Sequence, residues 1–135
     1  LIMGGSEAIL TALYDALVTA LPGVQVWSTV PQASDGGAVS AFPYVQIGAI
    51  VILPWDTHSE TGHDFTARVH TRWRAASEDA GRIIQDAIYD ALHNGTLLID
   101  GGATVLLQRQ STTVLALPDG DFDGVCEYRG LIETL

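Results

Sequence analysis

The sequence contains no lysine and a single cysteine, and only 16% of its residues are charged. Its six basic residues are all arginine (Arg68, Arg72, Arg74, Arg82, Arg109 and Arg129), set against 16 acidic residues for a net charge of -10 at pH 7. Without lysine there is no Walker-type phosphate loop, because that loop needs its amine to reach the phosphates. The shortage of positive charge removes the footprint with which proteins grip nucleic acid or an anionic membrane. The lone Cys126 cannot form an internal disulfide and falls in an alternating strand pattern, where a small buried thiol is the usual case. No Gly-x-Ser-x-Gly elbow and no Gly-x-Gly-x-x-Gly run occurs, so the sequence carries no nucleophile or dinucleotide signature. We expect no catalytic residue and no cofactor. No apolar run approaches the ~20 residues of a membrane-spanning helix. The opening stretch Leu1 to Gly5 lacks the basic region of a signal peptide, and the chain reads as cytosolic, which leaves the Asn94-Gly95-Thr96 sequon without meaning.

What remains is 135 residues with 47% apolar content. That length indicates one domain, residues 1–135, able to bury roughly two-thirds of its unfolded surface without staples. High apolar content beside few charges is the composition of a subunit that buries part of its surface against partners.

Two helices are punctuated clearly. Ser6 caps the first, Glu7 sits in its first turn, and Leu10, Leu13, Tyr14, Leu17, Val18 and Leu21 draw a stripe that Pro22-Gly23 ends. Ser77 caps the second, with Glu78 and Asp79 at the positive end of its dipole. Ile83, Ile84, Ala87, Ile88, Ala91 and Leu92 line its apolar face, and Asn94-Gly95 closes it.

Strands are expected at Val24 to Ser28, Tyr44 to Leu53, His63 to Trp73, Thr104 to Leu117 and Val125 to Leu135. The second should turn Val45, Ile47, Ala49 and Val51 to the core. In the third, Phe65, Ala67, Val69, Thr71 and Trp73 alternate with Asp64, Thr66, Arg68, His70 and Arg72, the pattern of a half-solvated antiparallel strand. The last two form a hairpin through Pro118-Asp119-Gly120 and the residues after it. The fold class is α+β: an antiparallel β-sheet with two amphipathic helices packed on one face. The segments Thr29 to Phe42 and Pro54 to Gly62 read as long loops, which in a compact domain are usually functional.

Two clusters resemble metal sites. Asp56, His58, Glu60, His63 and Asp64 combine imidazole with carboxylate, yet they lack the fixed spacing that pre-organises ligands. Asp119-Gly120-Asp121-Phe122-Asp123-Gly124 matches the opening of a calcium loop, but its twelfth position is Gly130 where a bidentate Glu belongs. Asp and Gly are also what a tight turn selects, so neither cluster is assigned a metal. His70 and Arg72 fit a solvated or subunit-facing strand side, and His93 a favourable contact with a helix C-terminus.

The ordered set of local motifs has a further meaning. Tyr14-Asp15-Ala16-Leu17 lies in the first helix, Val30-Pro31-Gln32 forms a turn, and Phe42-Pro43-Tyr44-Val45 opens a strand. Trp55-Asp56-Thr57 stands at a loop, Thr71-Arg72-Trp73 ends a strand, and Ala87 to His93 makes the second helix. Pro118-Asp119-Gly120 then precedes a closing strand with Tyr128-Arg129. This series resembles the tail completion, or tail terminator, proteins of long-tailed phages and gene transfer agents, and covers nearly the whole chain.

The resemblance implies a homo-oligomeric ring, typically a hexamer. Such a ring caps the tail tube protein, stops further tube addition and docks onto the head-completion, or stopper, protein. It implies a virion location at the tail-neck junction after assembly in the bacterial cytoplasm, with DNA passing through the lumen without specific binding, as carboxylates repel phosphates. The partner-facing candidates are the polar loop residues Gln32, Asp35, Asp56, His58, Glu60, Asp119, Asp121 and Asp123. The alternatives are another neck or tail-tube subunit, or a small metal-dependent enzyme or ligand-binding domain using the Asp56–Asp64 loop.

Overall fold

A computed structural model describes residues 6–28, 43–56, 61–74, 79–99, 102–118 and 120–134. Helix α1 (Ser6–Ala20) leads into a short strand β1 (Gln25–Trp27), followed by long strands β2 (Tyr44–Asp56) and β3 (Thr61–Arg74). Helix α2 (Asp79–Leu92), a two-residue strand β4 (Leu98–Ile99) and the long strands β5 (Gly102–Ala116) and β6 (Asp121–Thr134) complete the chain. The strands form one sheet in the order β1-β2-β3-β6-β5-β4. Every neighbouring pair is antiparallel except β1 with β2, which is parallel. The expected α+β class holds, with that one parallel edge as a departure.

Both helices cover the same sheet face. Ile9, Leu13, Leu17 and Leu21 from the α1 region join Ile84, Ile88 and Leu92 of α2 in one core with Val45, Ile47, Phe65, Ala67, Val69, Leu107, Cys126, Tyr128 and Ile132. A large apolar side chain buried this fully contributes roughly 1.5–3 kcal/mol.

The helices are rotated relative to the expected stripes. In α1, two rows of apolar residues four apart compete, and the aliphatic row Ile9–Leu13–Leu17–Leu21 wins the core. Tyr14 and Val18 are exposed, which spares the tyrosine hydroxyl the cost of burial without a partner. In α2 the buried face is Gly81, Ile84, Gln85, Ile88 and Leu92, while Ile83 is 68% exposed. The cause is Trp73: its indole occupies the space a Cβ on Gly81 would fill, so the helix turns its one side-chain-free position onto that ring. Ser77 and Glu78, read as the α2 cap, lie outside the described residues. At the other end the reading succeeds, since Asn94 adopts φ 60, the left-handed conformation that ends helices.

β3 alternates as expected, with Phe65, Ala67, Val69, Thr71 and Trp73 buried. β2 does not. The register against β3 slips between Ile47 and Ile50, and this bulge inverts the alternation. Val45 and Ile47 face the core, whereas after the slip Ile50 and Ile52 do, leaving Val51 56% and Leu53 59% exposed. β2 also runs on to Asp56, so only 57–60 separate it from β3.

The last hairpin is tighter than expected. Leu117 N donates to Asp121 O at 2.8 Å and Gly120 has φ +89, a backbone that favours glycine. β6 therefore starts at Asp121, four residues before the expected Val125.

Candidate functional site

The sheet face turned away from the helices carries four of the six arginines, and each is held by a carboxylate. Arg72 stands directly opposite Asp123, Arg74 opposite Asp121 and Arg68 opposite Glu127 across the β3–β6 ladder. Their Nε atoms lie 3.4, 3.5 and 3.5 Å from the acidic oxygens. Arg129 reaches diagonally to Asp64 with a forked contact, Nη2 to Oδ2 at 2.7 Å and Nε to Oδ1 at 3.1 Å. This is the geometry in which a guanidinium recognises a carboxylate best.

Asp123 is the centre of the array. It is only 7% exposed, and His70 Nδ1 lies 3.3 Å from the same oxygen that Arg72 approaches. Burial pushes its carboxyl up, but the hydrogen bond from His70 and the charge of Arg72 outweigh this and hold it below its ordinary value of 3.8. His70 in turn occupies the space beside Gly48, where an added Cβ would come 2.8 Å from Nε2. The histidine is packed between a glycine on one strand and a carboxylate on another.

The other two arginines are on the helix side. The Arg109 guanidinium stacks 4.2 Å over the Tyr89 ring, and Arg82 shares the outer surface of the helices with acids. There Glu7, Asp15, Asp79, Asp86 and Asp90 are all exposed, with Arg82 as the one basic residue on α1 and α2. Charge is thus segregated. The open sheet face balances four arginines with four carboxylates, and the excess negative charge among the described residues lies on the helical layer.

The candidate residues separate in space. Asp121 and Asp123 are strand residues paired to arginine, correcting their placement in a loop and removing two positions from the calcium-loop pattern. Asp56 ends β2 opposite Thr61. Gln32, Asp35, His58, Glu60 and Asp119 lie outside the described residues, as does the whole of Thr29 to Phe42. Asp64, counted with the His58 cluster, is the partner of Arg129. Among the described residues no group of three His, Cys, Asp or Glu side chains comes together to hold a metal. His93 serves a different end from the one expected: its Nδ1 accepts from Arg109 N at 3.1 Å, fastening the end of α2 to β5. Cys126 is buried, and burial pushes its thiol up against the opposing pull of the Thr112 hydroxyl at 3.8 Å and of Arg109. An open groove lined by Ala12, Asp15, Thr19, Ala91, Thr96 and Leu98 offers one carboxylate, two hydroxyls and no cationic side chain.

A family model described as "Tail completion protein gp17" matches residues 7–133. A solved chain from the "Virion of native gene transfer agent (GTA) particle" has the same fold, with a TM-score of 0.78 and 18% identity over 97% of this chain and 98% of that one. A second solved chain of similar length superposes with a TM-score of 0.53 at 17% identity, covering 98% of this chain and 97% of its own. Among curated protein sequences, none is significantly similar to this chain.

Proposed function

The chain belongs to the tail completion protein gp17 family, and on that premise we propose that it is the ring subunit that caps a tail tube. It is a structural protein of a phage-type tail. In the proposed role, a homo-oligomeric ring, probed first for six copies, seats on the last tube layer, ends polymerisation and offers its other side to the head-completion protein. The observation that carries this reading is the family match over residues 7–133 of a 135-residue chain.

The charge distribution supports it. Every arginine on the open sheet face is tied to a carboxylate, so this surface lacks a row of free guanidinium groups to grip phosphates. DNA passing such a ring would slide rather than bind. The polar loop residues Gln32, Asp35, Asp56, His58, Glu60 and Asp119 remain our candidates for contact with tube and head proteins.

Deleting the gene in the producing strain tests the role. Tails of uncontrolled length that fail to join heads are expected. Normal-length tails that join heads would instead assign the chain to another position in the neck or tube.

A further inference from the structure

The flanks of the sheet are unfinished in a complementary way. β1 covers β2 only along Tyr44–Gln46. On the opposite flank β4 pairs with Gly102 and Ala103 of β5. The segment after α2 extends that cover, with Thr104 N donating to Leu97 O at 3.0 Å, Asn94 N to Leu107 O at 2.7 Å and Arg109 N to His93 Nδ1 at 3.1 Å. Beyond these points each strand passes a bulge, at Ile47/Ile50 in β2 and at Arg109/Ser111 in β5. Past the bulges, Ile50–Leu53 and Ser111–Ala116 have, among the described residues, no strand on their outer side.

Natural sheets blunt such edges with charge or proline. Here Gln46 to Leu53 and Gln110 to Leu117 contain neither, in a chain of net charge -10. Val51, Leu53 and Ser111 to Thr113 are exposed. An edge that is open and uncharged among the described residues is a template for another strand. The occupant that suits it best is a second copy of this chain, because two copies carrying -10 each can meet without opposing their acids only where neither has any.

The strand directions allow it. β2 is antiparallel to β3, β3 to β6 and β6 to β5, so β2 and β5 run in opposite senses. A cyclic operator keeps the sense of each strand, and β5 of one copy therefore meets β2 of the next as an antiparallel pair, the more stable arrangement. The offset also fits. Following the registers across the sheet, Val51 is level with Thr66, Arg129 and Gln108, while Thr113 is level with Val125, His70 and Gln46. From Thr66 to His70 the two levels differ by about 13 Å along the strands, against about 19 Å for four strand spacings. Matching the open runs then needs a strand tilt of about 35°, at the lower end of the ~35–45° of closed barrels. β1 and the segment before β5 would fill the space below and above the new pair.

We propose that Ser111–Val114 of one copy pairs antiparallel with Ile50–Leu53 of the next, making the sheet continuous around the ring. This rests on the ring reading above. Val51 and Thr113 then face each other across each seam on the side away from the helices.

The test is hydrogen exchange on the full-length chain, free and in the purified particle, with copy number measured on the same particle. The expected result is a ring in which the amides of both runs are protected at least tenfold more than in the free chain. A ring whose runs exchange as in the free chain overturns the pairing and spares the ring; absence of a ring overturns both. As a second arm, Val51→Lys and Thr113→Glu in one chain should assemble at each seam as an ion pair. Val51→Lys alone should leave the thermal midpoint within about 2 °C, as expected of an exposed site, yet fail to assemble. Assembly of V51K as efficiently as the unaltered chain would overturn the proposal.

Discussion

The indole of Trp73 lies where a side chain on Gly81 would have to be, and this contact sets the rotation of α2 on the sheet. Trp73 is one of the largest fully buried side chains, and it also stacks on Phe122 with ring centroids 5.4 Å apart. A methyl group at position 81 would meet the ring system rather than a flexible chain end. Gly81→Ala should therefore destabilise the fold by about 1–3 kcal/mol despite alanine's better helix propensity. Thermal melting checks this: a midpoint unchanged or raised would show that the helix moves freely over Trp73.

Asp123 gives the molecule an acid-sensitive point. Its folded value lies below the ordinary 3.8, so its contribution is complete above that value and is lost as pH falls through the lower folded one. Asp123→Asn should cost about 1–3 kcal/mol at neutral pH, because the amide keeps an acceptor oxygen but removes the negative charge that Arg72 and His70 approach. The difference between the two proteins should narrow as pH drops below 3.8. Urea unfolding of both proteins at a series of pH values measures it, and a constant difference down to the acid limit would contradict the assignment.

Cys126 should be inert. It sits in the core beside Thr112 with its thiol pushed up by burial. A thiol-specific reagent at mild alkaline pH should label it only on the timescale of unfolding, and promptly once denaturant is added. Prompt labelling of the native protein would mean that the sheet opens at Cys126.

Neither acidic cluster should behave as a structural metal site, because Asp121 and Asp123 are bound to arginines and Asp64 is held by Arg129. EDTA, calcium and zinc are each expected to move the thermal midpoint by less than about 3 °C, under 1 kcal/mol for a domain of this size. A larger metal-dependent rise would contradict this.

Much of the fold was legible because β3 alternates without interruption and both helices end in clear turn residues. The failures come from features with no local signature. The β2 bulge inverts which of Ala49, Ile50 and Val51 is buried, and nothing in a uniformly apolar run marks where register slips. The rotation of α2 depends on Trp73, on the strand just before the helix, and periodicity does not mark which helical position meets that ring. β4 is too short to show any period. The ionic array on the open face was half visible, as a row containing Arg68, His70 and Arg72. Two of its carboxylates, Asp121 and Asp123, stand in an Asp-Gly-Asp run that reads as turn chemistry until the β6 register places them opposite arginines. The family relation is carried by the order of weak motifs along the whole chain rather than by any single signature.

The central claim is a single ring at one end of a tail, and imaging the assembled particle at subunit resolution tests it most directly. The account predicts density for this chain as one closed ring, between the last layer of tail tube and the head-completion protein. Density repeated along the tube, or a single copy at the neck, would contradict it.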